Sequence, residues 1–215
     1  MKSLFTFIFI ITALQFSFGQ EAYFSTGRNF TTYDYTNSQG ESNDNVKSSS
    51  GAFYELGLSF DVADKLQIAT GITLNEFNAT GGNYVNNYSW NTNYLGIKGL
   101  AKYAMFSSSG SKIGGNSYTT GDYAFYFNLG VNVSHIIDGQ QKINGETFDL
   151  ISNDEFKGLF VQPIIGLDAK YYITNTIALG LGYNYSKSYG ITNSTPQKLN
   201  FNNSQLQFNL LMSLN

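Results

Sequence analysis

The stretch AFYELGLSFDV, residues 52–62, alternates apolar side chains with small or polar ones. After the short segment ADK, residues 63–65, the same alternation continues through LQIATGITLN, residues 66–75. Because successive side chains of a β-strand point to opposite faces, each run predicts a strand with one apolar face. Two such strands joined by so tight a turn predict a β-hairpin.

The same period-two pattern recurs along the rest of the chain. It predicts six further strands, over residues 21–32, 91–105, 123–134, 159–172, 177–186 and 205–214. Most predicted strands have about 10 residues or more, as tilted membrane strands need, whereas globular strands average about 5 to 6. The fold class that we predict is all-β, an eight-stranded antiparallel up-and-down transmembrane β-barrel whose apolar faces meet lipid. The alternative is a secreted soluble β-sandwich, in which those faces would pack against each other.

The first 20 residues have the composition of an export signal. Lys2 supplies a positive charge, residues 4–14 are apolar apart from two threonines, and Gly19 offers a small residue for cleavage. An uncleaved anchor helix is the alternative, but such a helix needs about 20 apolar residues. We therefore expect a cleaved signal peptide over residues 1–20 and an outer-membrane β-barrel domain over residues 21–215.

The predicted connectors alternate in length. Two are short, residues 61–65 and 173–176, and four are long and polar, residues 33–50, 76–90, 136–158 and 187–203. Outer-membrane barrels have short periplasmic turns and longer extracellular loops. The pattern therefore predicts that both chain ends are periplasmic and that the long loops face outside. The connector at residues 106–122 departs from this rule, because it is long where a periplasmic turn is expected.

The composition excludes several classes of site. Charged residues make up 13% of the chain, against about 25% in soluble domains, and the net charge of −3 offers no basic surface for nucleic acid. The absence of Cys excludes disulfides, thiolate metal sites and a lipoprotein anchor, and the single His excludes a His-rich metal site. No phosphate-binding loop, dinucleotide fingerprint or metal-ligand spacing occurs, so we expect no cofactor.

One short segment resembles the residues of a catalytic triad. Ser134, His135 and Asp138 have the right chemistry for a nucleophile, a base and an acid. Adjacent strand residues point to opposite faces, however, so Ser134 and His135 are not expected to meet. The sequence therefore predicts that the protein is not an enzyme.

Five charged residues fall on the small and polar faces of the predicted strands. Glu55, Lys98 and Asp168 each lie about six residues before the end of a strand, which places them at similar depth at about 3.3 Å per residue. Lys102 and Lys170 follow lower down on the same faces. An unpaired charge inside a narrow barrel is costly, so these residues predict a lumen cluster. Its role would be structural, in plugging the barrel, or the gating of a narrow ion path.

Aromatic residues and one arginine indicate where the membrane surface lies. Aromatic residues near strand ends predict two interfacial girdles, formed by Tyr103, Phe106 and Tyr123 at one end and by Tyr88, Trp90, Tyr185 and Tyr189 at the other. Arg28 shares a face with Phe24 and Phe30, which predicts contact with lipopolysaccharide near the outer rim, unless a bulge turns it inward.

Four segments carry a resemblance to a known family. They are FGQ at residues 18–20, GRNF at 27–30, YLGIKGLAKY at 94–103 and GLDAKY at 166–171. The chain resembles the small outer-membrane β-barrel proteins of the outer-membrane protein A, X and W type, and most closely the PorT-like group of Bacteroidota. The resemblance implies an integral outer-membrane protein that contacts outer-membrane lipid, lipopolysaccharide and the barrel-assembly machinery. We expect it to be a monomer.

The fold does not fix a function, because this barrel hosts several activities. We expect a non-enzymatic barrel with a structural or surface-interaction role through its long extracellular loops, which would contact any extracellular ligand. One alternative is a narrow channel for small or apolar solutes. The other is a lipid-modifying barrel enzyme, whose mark would be a lipid-facing Ser or His beside a carboxylate.

Overall fold

The computed structural model describes residues 20–36, 39–41, 46–82, 87–108, 119–153, 156–191 and 198–214. Its ten strands are β1 (Gln20–Thr36), β2 (Val46–Ala63), β3 (Leu66–Gly82), β4 (Asn87–Ser107), β5 (Tyr123–Ile143), β6 (Glu146–Asp149), β7 (Leu159–Tyr172), β8 (Ile177–Lys187), β9 (Tyr189–Gly190) and β10 (Lys198–Ser213). The predicted signal peptide lies outside the described residues except for Gln20, where β1 begins. In the described part of the chain, no helix is long and apolar enough to cross a membrane.

Eight of the strands form a closed ring. The order is β1, β2, β3, β4, β5, β7, β8 and β10, and β10 pairs again with β1. Every pairing is antiparallel. The short strands β6 and β9 pair with β5 and β7 respectively. The all-β, eight-stranded up-and-down barrel is confirmed, and the ring excludes a sandwich of two facing sheets.

The two ends of the barrel differ in their connectors. We call the end with both barrel termini and the β2–β3, β4–β5 and β7–β8 connectors the turn end, and the opposite end the loop end. At the turn end, β2–β3 and β7–β8 are joined by short turns, as predicted. The β4–β5 connector is long, and residues 109–118 of it lie outside the described part. The Asp122 carboxylate ties its two flanks together, because it accepts hydrogen bonds from the Thr119 N–H at 2.8 Å and the Ser108 hydroxyl at 2.7 Å.

Inside and outside alternate along each strand as the sequence predicts. On β2, Leu56 is 67% exposed on the outer face while its neighbour Glu55 is 2% exposed in the lumen. On β4, Ile97 and Lys98 show the same contrast, at 67% and 4%. The apolar faces thus lie outside the ring and the small and polar faces lie inside it, as in a barrel surrounded by lipid.

The strands extend farther toward the loop end than the sequence predicted. The prediction of loops at residues 33–50, 76–90, 136–158 and 187–203 was wrong for parts of each range, which belong to strands. In these parts the alternation continues, but the apolar residues now face the lumen and the polar residues face outward. On β3, Phe77 and Ala79 are buried in the lumen while Thr80 is exposed. Backbone hydrogen bonding does not depend on which face of a strand is apolar. The strands therefore stay paired beyond their last outward-facing apolar residue.

Candidate functional site: the filled lumen

Three ion pairs occupy the lumen toward the turn end. Lys98 of β4 contacts the Glu55 carboxylate of β2. The Lys102 ammonium lies 2.6 Å from Asp168 Oδ2, and the Lys170 ammonium lies 2.6 Å from Glu21 Oε2. The side chains of all six residues are at most 14% exposed. We call these six residues the ion-pair layer.

Neutral hydrogen-bonding groups complete the coordination of the carboxylates. The Tyr23 hydroxyl donates to Glu55 Oε1 at 2.7 Å. The Gln207 side-chain amide donates to Asp168 Oδ1 at 3.3 Å. Buried carboxylates are tolerated when a cation and further donors satisfy their oxygens. These contacts therefore explain how acids can lie in so narrow a lumen.

Aromatic rings support the three lysines. The Lys98 ammonium lies 5.3 Å from the centre of the Phe53 ring. Both Lys102 and Lys170 lie over the Tyr126 ring, at 5.4 and 4.9 Å from its centre. A cation is attracted to the negative face of an aromatic ring. Tyr126 thus joins two of the ion pairs from the β5 side.

Glycines provide the space that the charged side chains occupy. Gly182 of β8 lies opposite Asp168 in the β7–β8 register, and a Cβ there would overlap the carboxylate. At Gly57 a Cβ would lie 2.5 Å from the Tyr23 hydroxyl, which bonds to Glu55. Side chains at these two lumen positions would displace the groups that hold the carboxylates. The small residues of the inner face are therefore part of the site.

The five charged residues predicted for the lumen all have side chains inside the barrel, arranged as pairs. Glu55 contacts Lys98 and Asp168 contacts Lys102. Lys170 contacts Glu21, which was not among the residues predicted for the lumen. The alternation of β1 could have placed Glu21 inside the barrel, because Glu21 shares its face with Tyr23 and Ser25, which are both buried.

A second group of side chains fills the lumen toward the loop end. We call this group the aromatic plug; its buried members are Tyr33, Phe77, Ala79, Tyr94, Ile136, Leu150, Phe156, Phe160, Leu199 and Phe201. Phe201 is central, with its ring centre 4.8 Å from that of Tyr33 and 5.2 Å from that of Phe160. The Tyr33 hydroxyl donates to the Phe77 carbonyl at 2.9 Å, which satisfies its polar end within the plug.

The aromatic plug corrects one of the predicted girdles. Trp90 does not face lipid, because it packs against the plug with its ring centre 5.8 Å from that of Tyr33. Tyr88 stacks on Trp90 at 6.2 Å. The prediction was wrong because β4 continues beyond its outward-facing apolar residues. The alternation along this part of the strand places Trp90 on the same inner face as Tyr94. Tyr185 and Tyr189 are exposed.

The remaining candidate residues lie apart from the lumen. Arg28 is exposed on the outer face of β1, which agrees with the first of the two predicted orientations. Ser134 is buried in the lumen, whereas His135 is exposed and its Nδ1 lies 2.7 Å from the Gly158 carbonyl oxygen. Among the described residues, no three His, Asp or Glu side chains are grouped so that they could hold a metal ion.

Comparison with solved structures identifies the fold. The outer-membrane protein OprG from Pseudomonas aeruginosa is similar, with a TM-score of 0.52, 13% identity, and coverage of 91% of this chain and 97% of that one. Neisserial surface protein A matches with a TM-score of 0.46, 13% identity, and coverage of 90% and 99%. Ail of Yersinia pestis matches with a TM-score of 0.41, 10% identity, and coverage of 89% of this chain and 98% of that one.

Sequence comparison adds no narrower relationship. No family model matches the chain, and no curated protein matches it significantly. At 13% identity the similarity to OprG concerns the fold alone. The chain has the fold of the small outer-membrane β-barrels.

Proposed function

We propose that this protein is an integral, non-enzymatic barrel of the outer membrane, with a closed lumen and a surface-interaction role at its loop end. The band of exposed apolar side chains supports the membrane location. On β4 this outer band includes Leu95, Ile97, Tyr103 and Met105, and on β10 it includes Leu206, Phe208, Leu210 and Met212. A soluble protein rarely exposes so large a continuous apolar surface.

The observation that carries the proposal is that two successive groups fill the lumen. The aromatic plug occupies it toward the loop end, and the ion-pair layer occupies it toward the turn end. An open water-filled pore needs a continuous polar path, as in the wider porins. A barrel filled in this way is suited to presenting its loop end, and not to conducting solutes.

Further parts of the proposal concern export and partners. Residues 1–20 would direct export and be removed, and the barrel-assembly machinery would insert residues 21–215. The exposed Arg28 would contact lipopolysaccharide phosphates at the outer rim. We also propose a monomer, a place in the PorT-like group, and extracellular partners that bind the loops.

The conductance of the refolded protein in planar lipid bilayers tests the closed lumen. Native folding and location are established beforehand by outer-membrane fractionation and by a gel band that shifts on boiling. We expect no stepwise conductance. The double variant Tyr94→Ala/Phe201→Ala, which opens the aromatic plug, should also remain closed because the ion-pair layer is intact. Stepwise conductance of the unaltered protein would contradict the proposal.

A narrow channel is the second candidate, and two small cavities in the lumen favour it. Each has a volume of about 20 Å³, which is room for roughly one water molecule. Buried polar atoms without a protein partner line them, including Gln162 Nε2 in one and Asn209 Oδ1 in the other. The same conductance experiment distinguishes this candidate, because water-filled cavities that connect would carry ions.

A further inference from the structure

A cavity of about 260 Å³ opens at the mouth of the barrel, above the aromatic plug. We call it the mouth cavity; the residues that line it are Tyr33, Tyr35, Val46, Tyr88, Trp90, Gln141, Phe156 and Leu199. The mouths of β-barrels are frequent positions for small-molecule sites. The lining comes from β1, β2, β4, β5, β10 and the β6–β7 connector, so closure of the barrel creates the site.

The aromatic side chains give the mouth cavity flat walls. Tyr88 and Trp90 stack with their planes 28° apart and their centres 6.2 Å apart, which makes a stepped platform. Tyr33 is tilted by 46° to Trp90, and Phe156 is tilted by 57° to Tyr33. The Tyr33 ring is fixed, because its hydroxyl bonds to the Phe77 carbonyl. The site is therefore preformed for a flat, rigid group.

The chemistry of the lining limits the charge of a ligand. Among the lining residues that the structure describes, none is charged, and Gln141 contributes the one side-chain amide. An anion or a cation would lose hydration there without gaining an opposite charge. A purely apolar compound would cover the Gln141 amide without giving it a hydrogen-bond partner. The lining therefore favours a neutral molecule with both an apolar face and hydrogen-bonding groups.

The volume limits the size of the ligand. Sites for drug-sized molecules usually measure about 300 to 1,000 Å³, so a cavity of about 260 Å³ suits a single substituted ring. A neutral pyranose sugar combines the required features, since its C–H face is apolar and its hydroxyls donate and accept hydrogen bonds. An aromatic platform beside an amide matches both sides of such a ring.

We propose that the mouth cavity binds one pyranose ring of a neutral sugar, stacked on Tyr88 and Trp90 and hydrogen-bonded to Gln141. The ring is either a free monosaccharide or the end of a glycan. This inference rests on the proposed function, because it assigns a ligand class to the loop end as an interaction surface. It makes the protein a carbohydrate-recognising barrel.

Trp90 is the single tryptophan of the chain, so tryptophan fluorescence reports on the mouth cavity directly. The refolded protein is titrated with glucose, galactose, mannose and N-acetylglucosamine, each also as its methyl glycoside. We expect a saturable change in emission for at least one sugar, with a Kd on the order of 1 mM. A methyl glycoside that binds as well as the free sugar indicates a glycan end, and a weaker one indicates a free sugar.

Two variants test the assigned contact. Gln141→Leu should weaken sugar binding by about tenfold, the equivalent of one hydrogen bond. Gln140→Leu, at the exposed neighbouring position on the outer face of β5, should leave the Kd unchanged. Equal effects of the two substitutions would contradict the assignment of Gln141.

Two further probes separate the competing ligand classes. Toluene tests an apolar site, and tetramethylammonium tests a cation held by aromatic rings. A saturable response to either probe without a response to any sugar would overturn the sugar proposal, as would the absence of every response. A non-conducting barrel without sugar binding would overturn this inference alone, whereas a conducting barrel would overturn the proposed function.

Discussion

The two halves of the barrel differ in where they place charged and apolar side chains. Toward the turn end, apolar side chains face outward and the lumen holds Glu55, Lys98 and Asp168. Toward the loop end, β3, β4 and β10 carry polar side chains on their outer faces, and the lumen holds aromatic residues such as Phe77 and Phe201. The turn-end half has the surface of a membrane protein, and the loop-end half has the core of a water-soluble one.

The change occurs within single strands, without any break in the ring. On β3 it lies between Leu74 and Glu76, on β4 between Asn93 and Leu95, and on β10 between Ser204 and Leu206. In the membrane location that we propose, the surroundings of the outer face would change from lipid to water at these positions. Side-chain placement follows the local solvent, whereas backbone pairing does not. The positions therefore mark the expected outer boundary of the lipid.

The largest effect is expected from Lys98→Met in the ion-pair layer. This substitution leaves the buried Glu55 carboxylate without its cation, which should cost about 3 to 5 kcal/mol of unfolding free energy. Adding Glu55→Gln should restore most of the loss, because the amide oxygen still accepts the Tyr23 hydroxyl. Urea unfolding in lipid vesicles measures both variants, with the exposed Lys142→Met as the control. Unchanged stability and unchanged conductance for Lys98→Met would contradict both the structural and the gating role of the layer.

We expect the aromatic plug to contribute to the unfolding free energy through the packing of its side chains and not through charge pairs. Phe201→Ala leaves a cavity among Tyr33, Phe77 and Phe160 and should cost about 3 to 4 kcal/mol. Phe208→Ala, on the outer face of the same strand, should cost roughly half as much because lipid fills the space. The same unfolding assay compares the two variants. Equal losses would mean that the plug is not a packed core.

The smallest effect is expected from a pair of substitutions that tests where the outer surface changes from apolar to polar. Leu181→Lys places a charge in the apolar band of β8 and should cost about 2 to 4 kcal/mol. Asn200→Lys, on the water-facing part of β10 beside Asp34, should be close to neutral. Unfolding free energies in vesicles decide the comparison. A similar cost at both positions would place Asn200 inside the lipid and move the proposed boundary.

The alternation of residues 52–75 could predict the hairpin, and the same parity could place Glu55, Lys98 and Asp168 inside the barrel. An outward apolar pattern does not predict the loop-end parts of the strands, because their apolar residues face the lumen. Trp90 was assigned to lipid for the same reason. The alternation of β1 could have placed Glu21 inside as well, but its pairing with Lys170 joins strands that are distant in sequence, and no local pattern predicts that pairing.

By itself, the sequence determined the strand-forming pattern, the outward apolar faces and the inward charges, because these follow from the period of two within each strand. Only the tertiary structure decided which lysine neutralises which acid, that aromatic residues fill the loop-end lumen, and that residues from separate strands form the mouth cavity. Those features depend on ring closure and on the register between strands, which bring together side chains that are far apart in the chain.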